Sequence, residues 1–129
     1  MRLRVRFAET DQLGVAHHSS YVIWLEAARI EWLRERGLSY RELEESGLSL
    51  VVSSLSVEYR QSAQFDDEID IEVTLQEVRS RQLVIGYRLR RVADGLLLAT
   101  ATTTHIAADR MGKAVRIPAS WLAAMLASC

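Results

Sequence analysis

The sequence predicts an α+β fold in which an antiparallel sheet wraps around one long helix. Two observations carry this. The run "SYVIWLEAARIEWLRERG" is the most apolar helical segment in the chain. The segments after it alternate apolar and polar residues with a period of two and are separated by turns, not by helices, which argues against a parallel sheet. A chain of 129 residues is expected to form one domain over residues 1–129, burying roughly two-thirds of its unfolded surface.

Each element has its own signal. Residues 2–8 set Arg2, Arg4 and Arg6 between Leu3, Val5 and Phe7, a half-buried strand. A loop from Glu9 to His18 follows. Ser19 or Ser20 then offers an N-cap for the long helix, and Gly37 a stop. Tyr21, Val22, Ile23, Trp24, Leu25, Ala27 and Ala28 make its first half apolar nearly all round, as in a helix covered on most sides. Arg34 and Arg36 suit its negative end. Trp24 and Trp32 fall on one face and read as core.

Ser39 and Glu42 stand in capping-box spacing for a short second helix that Gly47 ends. Strands follow around Leu55–Arg60, Ile69–Leu75 and Leu83–Arg90, and "ADG" at 93–95 makes a hairpin turn into a last long strand, Leu96–Ile106. A short strand at Ala114–Ile117 and a helix opened by Pro118 and Ser120 close the chain. Leu97, Ala99 and Ala101 form an apolar or small face opposite Leu98 and Thr100. With sheet edges also needing cover, an oligomer is expected.

Composition narrows the function classes. A formal net charge of -1 gives no global field to recruit nucleic acid or a membrane surface. No apolar run reaches the ~20 residues of a membrane span. The N-terminal alternation is a strand and not a secretory leader, so a cytoplasmic location is expected. The single cysteine, Cys129, excludes an internal disulfide and a cysteine cluster for zinc.

The stretch "ETDQLGVAHHSSYVIWLEAAR" raises the chemical question, because its polar half leads straight into a helix that must be buried. Asp11 precedes a helix N-terminus, where unpaired amides and the dipole favour negative charge. A carboxylate there suits acyl transfer: it attacks a carbonyl or activates water, and the amides hold the developing oxyanion. Gly14 lets the loop fold back. The plainer alternative is that Asp11 is only a turn residue. His17 and His18 resemble a metal pair, but adjacent side chains diverge on ordered backbone and no third ligand sits at helical spacing, so no metal is expected. Ser19 or Ser20 completes a Ser-His-Asp triad on paper, yet both are wanted as caps. A phosphate-binding glycine loop is absent.

"RFAETDQLGVAHHSSYVIWLEAAR" closely resembles the opening motif of the 4-hydroxybenzoyl-CoA thioesterase family, nearest to its small bacterial YbgC-like branch. Asp11, Gly14, Val15, His18, Tyr21 and Arg29 stand in register. "VEYRQSAQFDDEIDIEV" at 57–73 resembles a second family segment, and the likeness runs on more loosely to "VRIP" at 115–118. The resemblance implies a hotdog fold and an acyl-CoA thioesterase that needs no cofactor beyond the coenzyme A of its substrate. It implies that Asp11 is the nucleophile or general base and that the His18 amide polarises the thioester carbonyl. The site is expected at a dimer interface, in a dimer of dimers. Tyr21 and Ser62 are candidates to contact substrate, and Arg79 and Arg81, in a turn matching the family's basic turn, to meet the phosphates of coenzyme A. Phe7 stands where many relatives carry tyrosine, so that hydroxyl is missing. A hotdog hydratase or dehydratase and a non-catalytic acyl-CoA-binding module are the alternatives. The long helix lacks a histidine beyond its first turn for the former, and no residues remain for a fused DNA-binding segment for the latter.

Overall fold

The computed structural model describes residues 1–127, so Cys129 lies outside the described residues. The elements run β1 (Arg2–Arg4), α1 (His18–Glu35), α2 (Tyr40–Glu45), β2 (Ser49–Tyr59), β3 (Glu68–Val78), β4 (Gln82–Arg91), β5 (Leu97–Ala108) and α3 (Ala119–Leu126). The strands form one antiparallel sheet in the order β1-β3-β4-β5-β2, curled about α1. This is the predicted α+β hotdog arrangement. Tyr21, Trp24, Leu25 and Ala28 of α1 pack with Ile71, Ile85, Tyr87 and Leu89 of the sheet. Farther along, Trp32 and Leu33 join Leu43, Leu50, Leu83, Ile117 and Met125 in a second cluster. Both tryptophans of α1 are core residues.

Several local expectations are corrected. The first strand ends at Arg4, and Phe7–Glu9 form a 3-10 turn. The physical reason is Glu9, whose Oε1 accepts the Arg6 N–H at 2.7 Å and draws the chain into a turn. The N-cap of α1 is His17, not Ser19 or Ser20: His18 is already helical, and His17 Nδ1 accepts the Ser19 N–H. Ser20 is instead buried and donates its hydroxyl to the Glu9 carbonyl at 2.9 Å. Ala99 and Ala101 do not form an open face; they lie in the cluster beneath α1. A register shift between Leu89 and Arg90, opposite Leu97–Ala99, sends Leu98 into that same core.

The helix itself is less covered than its composition suggested. The chain's own sheet shields one side, and Val22 and Ile23 remain 39% and 58% exposed. β2 begins earlier than expected and occupies a sheet edge, with β5 as its one strand neighbour among the described residues and Val51, Leu55 and Tyr59 about half exposed. The expected strand at 114–117 reduces to a single bridge between Ala108 and Ala114. No helix among the described residues is long and apolar enough to cross a membrane.

Candidate active site

The loop before α1 is a tight reversal. Gly14 has φ +79°, a region open to glycine, and its N–H donates to the Asp11 carbonyl at 3.1 Å. The Asp11 N–H returns to Val15 O at 2.9 Å, and the Leu13 N–H donates to Asp11 Oδ1 at 2.8 Å. Asp11 is thus a turn residue as well as a candidate catalyst, and the two roles use different atoms. Its other carboxylate oxygen has no hydrogen-bond partner among the described residues.

The helix start presents the complementary group. The Ser19 N–H is taken by His17 Nδ1 and the Ser20 N–H by the His17 carbonyl. The His18 N–H has no acceptor among the described residues. An unbonded amide at the positive end of a helix is a ready donor to an oxyanion.

A cleft of about 330 Å³ brings the two together, lined by Asp11, Ala16, His18, Tyr21, Tyr59, Arg60, Gln61 and Ser62. Four residues singled out in the sequence, Asp11, His18, Tyr21 and Ser62, therefore meet in one place. Gly14 shapes the turn without lining the cleft. Tyr21 is a buried wall whose hydroxyl accepts the Ala63 N–H at 3.3 Å, and burial raises its phenol pKa, which keeps it neutral. Larger depressions lie on the outer sheet face and between the end of α1 and α2, at about 410 and 530 Å³, but neither is lined by the α1 N-terminus.

Arg79 and Arg81 are not in this cleft. They sit in the β3–β4 turn, where neighbouring Gln82 pairs with Ile106 and Ile106 with Val51, whereas Tyr59 marks the cleft end of β2. The stretch from Val51 to Tyr59 spans roughly 25 Å at about 3.3 Å per residue. Arg79 also pairs with Glu77. Among the described residues no group of three or more His, Cys, Asp or Glu side chains is placed to hold a metal ion. The rings of His17 and His18 do lie close, with centroids 4.1 Å apart, but they stand alone in this respect.

Sequence reasoning missed three contributors. Tyr59 donates its hydroxyl to the His18 carbonyl at 3.1 Å and packs its ring edge-on to Tyr21. It was legible only as one alternating residue of a strand. Arg91 clamps the cleft wall, donating Nη2 to Ser62 O and Nε to Asp67 Oδ2, each at 3.0 Å. Asp67 in turn accepts the Gln64 N–H. Glu9 is a buried carboxylate behind the loop. Its only signal was its place in the motif.

Comparison with known proteins identifies the family and the fold. A family model described as the thioesterase-like superfamily matches residues 5–125. The acyl-CoA thioesterase YbgC of Haemophilus influenzae is 32% identical over 112 residues, covering 86% of this chain and 80% of that protein. The crystal structure of a hypothetical protein from Thermus thermophilus superposes with a TM-score of 0.92 at 38% identity, covering 98% and 96% of the two chains. A 4-hydroxybenzoyl-CoA thioesterase solved with 4-hydroxybenzoyl-CoA shares the fold, with a TM-score of 0.88 at 24% identity and coverage of 97% and 96%. The chain belongs to the thioesterase-like superfamily and, within it, is a hotdog-fold enzyme of the thioester-hydrolase class related to the YbgC thioesterases.

Proposed function

We propose that this enzyme hydrolyses acyl-coenzyme A thioesters to a carboxylic acid and free coenzyme A, with Asp11 as the reacting carboxylate. One observation carries the reading: a carboxylate oxygen and a helix-terminal amide, both unpartnered among the described residues, share one cleft. The thioester carbonyl accepts the His18 N–H. Asp11 then adds to the carbonyl carbon, or takes a proton from a water that adds. Negative charge grows on the carbonyl oxygen, where the amide and the helix end stabilise it, and the C–S bond breaks to release the thiolate. On the first route a water then hydrolyses the acyl anhydride on Asp11 to give the acid and restore the carboxylate; on the second the proton held by Asp11 passes to the thiolate. Tyr21 and Ser62 border the acyl group. The likeness of the chain to YbgC supports coenzyme A as the carrier, and a cytoplasmic location accompanies this reading.

Assembly belongs to the same proposal. β2 is an edge strand whose one strand neighbour among the described residues is β5, with exposed Val51 and Leu55. Antiparallel pairing of two β2 strands would set the β3–β4 turn of one copy, with Arg79 and Arg81, beside the cleft of the other. The distance between these arginines and the cleft within one chain then has a purpose. Pairing of such dimers into a tetramer follows the same expectation.

The test is thiol release from short, long and aromatic acyl-CoAs by the enzyme and by Asp11→Asn, both carrying Cys129→Ser to remove background thiol. Loss of hydrolysis in the variant supports the assignment. An equal rate would remove Asp11 from the mechanism, and no hydrolysis of any acyl-CoA would shift attention to carrier-protein thioesters.

A further inference from the structure

We infer that Glu9 is a positioning residue for this reaction: its buried carboxylate, held between Trp24 and Arg6, locks the loop that carries Asp11 onto the first turn of α1. The inference rests on the assignment of Asp11 above. Glu9 does not line the cleft and touches no reacting atom, so its influence must pass through the loop.

The hydrogen bonds describe a knot. Glu9 is 8% exposed, and its Oε2 accepts the Trp24 indole N–H at 2.7 Å and an Arg6 guanidinium N–H at 3.1 Å. Its Oε1 accepts the Arg6 backbone N–H at 2.7 Å. Its main-chain carbonyl accepts the His17 N–H at 2.8 Å and the Ser20 hydroxyl at 2.9 Å. One residue therefore bonds to the segment before the catalytic turn, to the N-cap of α1, to its first turn and to a core tryptophan. Asp11 lies two residues beyond it in the chain, and the His18 amide follows the N–H that its carbonyl holds.

Such an arrangement is costly if stability is the only return. A buried carboxylate carries a desolvation penalty that an apolar residue packed against Trp24 would avoid. Burial alone would raise the Glu9 pKa, but the hydrogen bonds from Arg6 and Trp24 outweigh it and hold the carboxyl below its usual range. The group stays an anion, with both oxygens occupied and its direction settled. What this secures is placement. Two reacting groups on separate segments are held to a single geometry, and a misplacement of about 1 Å is enough to lower turnover by about 10²-fold.

The experiment compares Glu9→Gln, Trp24→Phe and the double variant with Asp11→Asn, on whichever acyl-CoA the enzyme cleaves. Readouts are kcat, KM, the thermal midpoint and the folded fraction from near-ultraviolet circular dichroism. Glu9→Gln keeps the shape but turns an amide toward one of the donors. It should lower kcat per folded molecule by about 10- to 100-fold with KM within about twofold. Trp24→Phe removes the indole donor and should lower kcat in the same sense by about 3- to 10-fold. The double variant should be no slower than Glu9→Gln alone, since the bond from Trp24 is one of those through which the Glu9 carboxylate is held. An unchanged kcat per folded Glu9→Gln molecule would mean a structural role only and overturn the inference, as would full multiplication of the two losses. Should Glu9→Gln fail to fold, Trp24→Phe decides: unchanged kcat refutes, a kcat loss at constant KM supports. Wild-type turnover in Asp11→Asn would sink the site assignment, and this inference with it, as a separately visible result.

Discussion

The two ends of α1 are finished in opposite ways. At the C-terminal end Gly37, at φ +74°, closes the helix: its N–H reaches Arg34 O, the Leu38 N–H reaches Leu33 O, and the Arg36 guanidinium lies 4.0 Å over the Trp32 ring while donating to Trp32 O. The end is sealed against the apolar cluster of Leu33, Leu43, Leu50 and Met125. At the N-terminal end the surrounding structure is just as closely bonded through Glu9, Ser20 and Tyr59, yet the His18 N–H and one Asp11 oxygen have no protein partner among the described residues. Asp11 and His18 are exposed in the single chain, so water meets the two open groups until another ligand displaces it. Groups left open within a framework whose other bonds are made are the ones available to a substrate. One end of the helix is closed by its own contacts, and the other, on the proposed reading, is left open for chemistry.

That contrast can be broken by perturbing each end. Asp11→Asn should lower turnover by about 10²- to 10⁴-fold, the scale for losing a positioned base or nucleophile, with little change in the urea midpoint. A large loss of stability would mean that the turn role of Asp11 dominates. At the far end, Leu33→Ala removes a fully buried side chain and should destabilise the fold by about 2–5 kcal/mol while kcat per folded molecule stays the same. A kcat change there would show that the two ends are coupled.

His105 sharpens the comparison through pH. It lies fully buried within the sheet, its Nε2 sharing a hydrogen bond with Thr103 Oγ1 at 2.8 Å, and Thr103 in turn meets the Tyr87 hydroxyl. Burial, with the positive charge of Arg29 second, lowers its pKa from 6.5 to about 4. A histidine depressed in the folded state binds its proton more readily when unfolded. Its stabilising contribution is therefore present above pH 6.5 and lost as pH falls toward about 4, for a total of about 3 kcal/mol. Urea midpoints measured from about pH 7.5 down to about pH 5 should fall more steeply in the wild type than in His105→Gln. Equal slopes would place the acid sensitivity elsewhere. The smallest effect is expected from Arg81→Ala, a KM increase of a few-fold for coenzyme A substrates with kcat unchanged, as for a lost uniform binding contact. An unchanged KM would return Arg81 to a solvated turn.

Much of the fold was legible because strand and helix periods are local properties. Ile69–Leu75 and Leu83–Arg90 alternate so regularly that their inward faces follow from the sequence, and Gly37 marks the end of α1. Local reasoning erred where a distant bond overrode a propensity. Arg6 and Phe7 continue an alternating strand on paper, but the Glu9 carboxylate bends them into a turn. Ser19 and Ser20 are good capping residues, but His17 holds the extended conformation that the cap requires, and Ser20 is drawn inward to Glu9. At the site, Asp11, Gly14 and His18 lie within one motif and could be read together. Tyr59, Arg91 and the cleft wall at Ser62 come from remote segments, and no spacing rule links them.

The sequence by itself determined the main helix and the antiparallel strands, their order, the apolar character of the central helix and the charge and turn residues placed before it. Each follows from chemistry within a few neighbouring residues. Only the tertiary structure decided which carboxylate oxygen and which amide stay unpaired, which wall faces them, and that Arg79 and Arg81 stand at the opposite end of the sheet from the cleft. Those outcomes depend on the register of β2 against β5 and on one buried anion, Glu9, and both are settled by contacts between residues far apart in the chain.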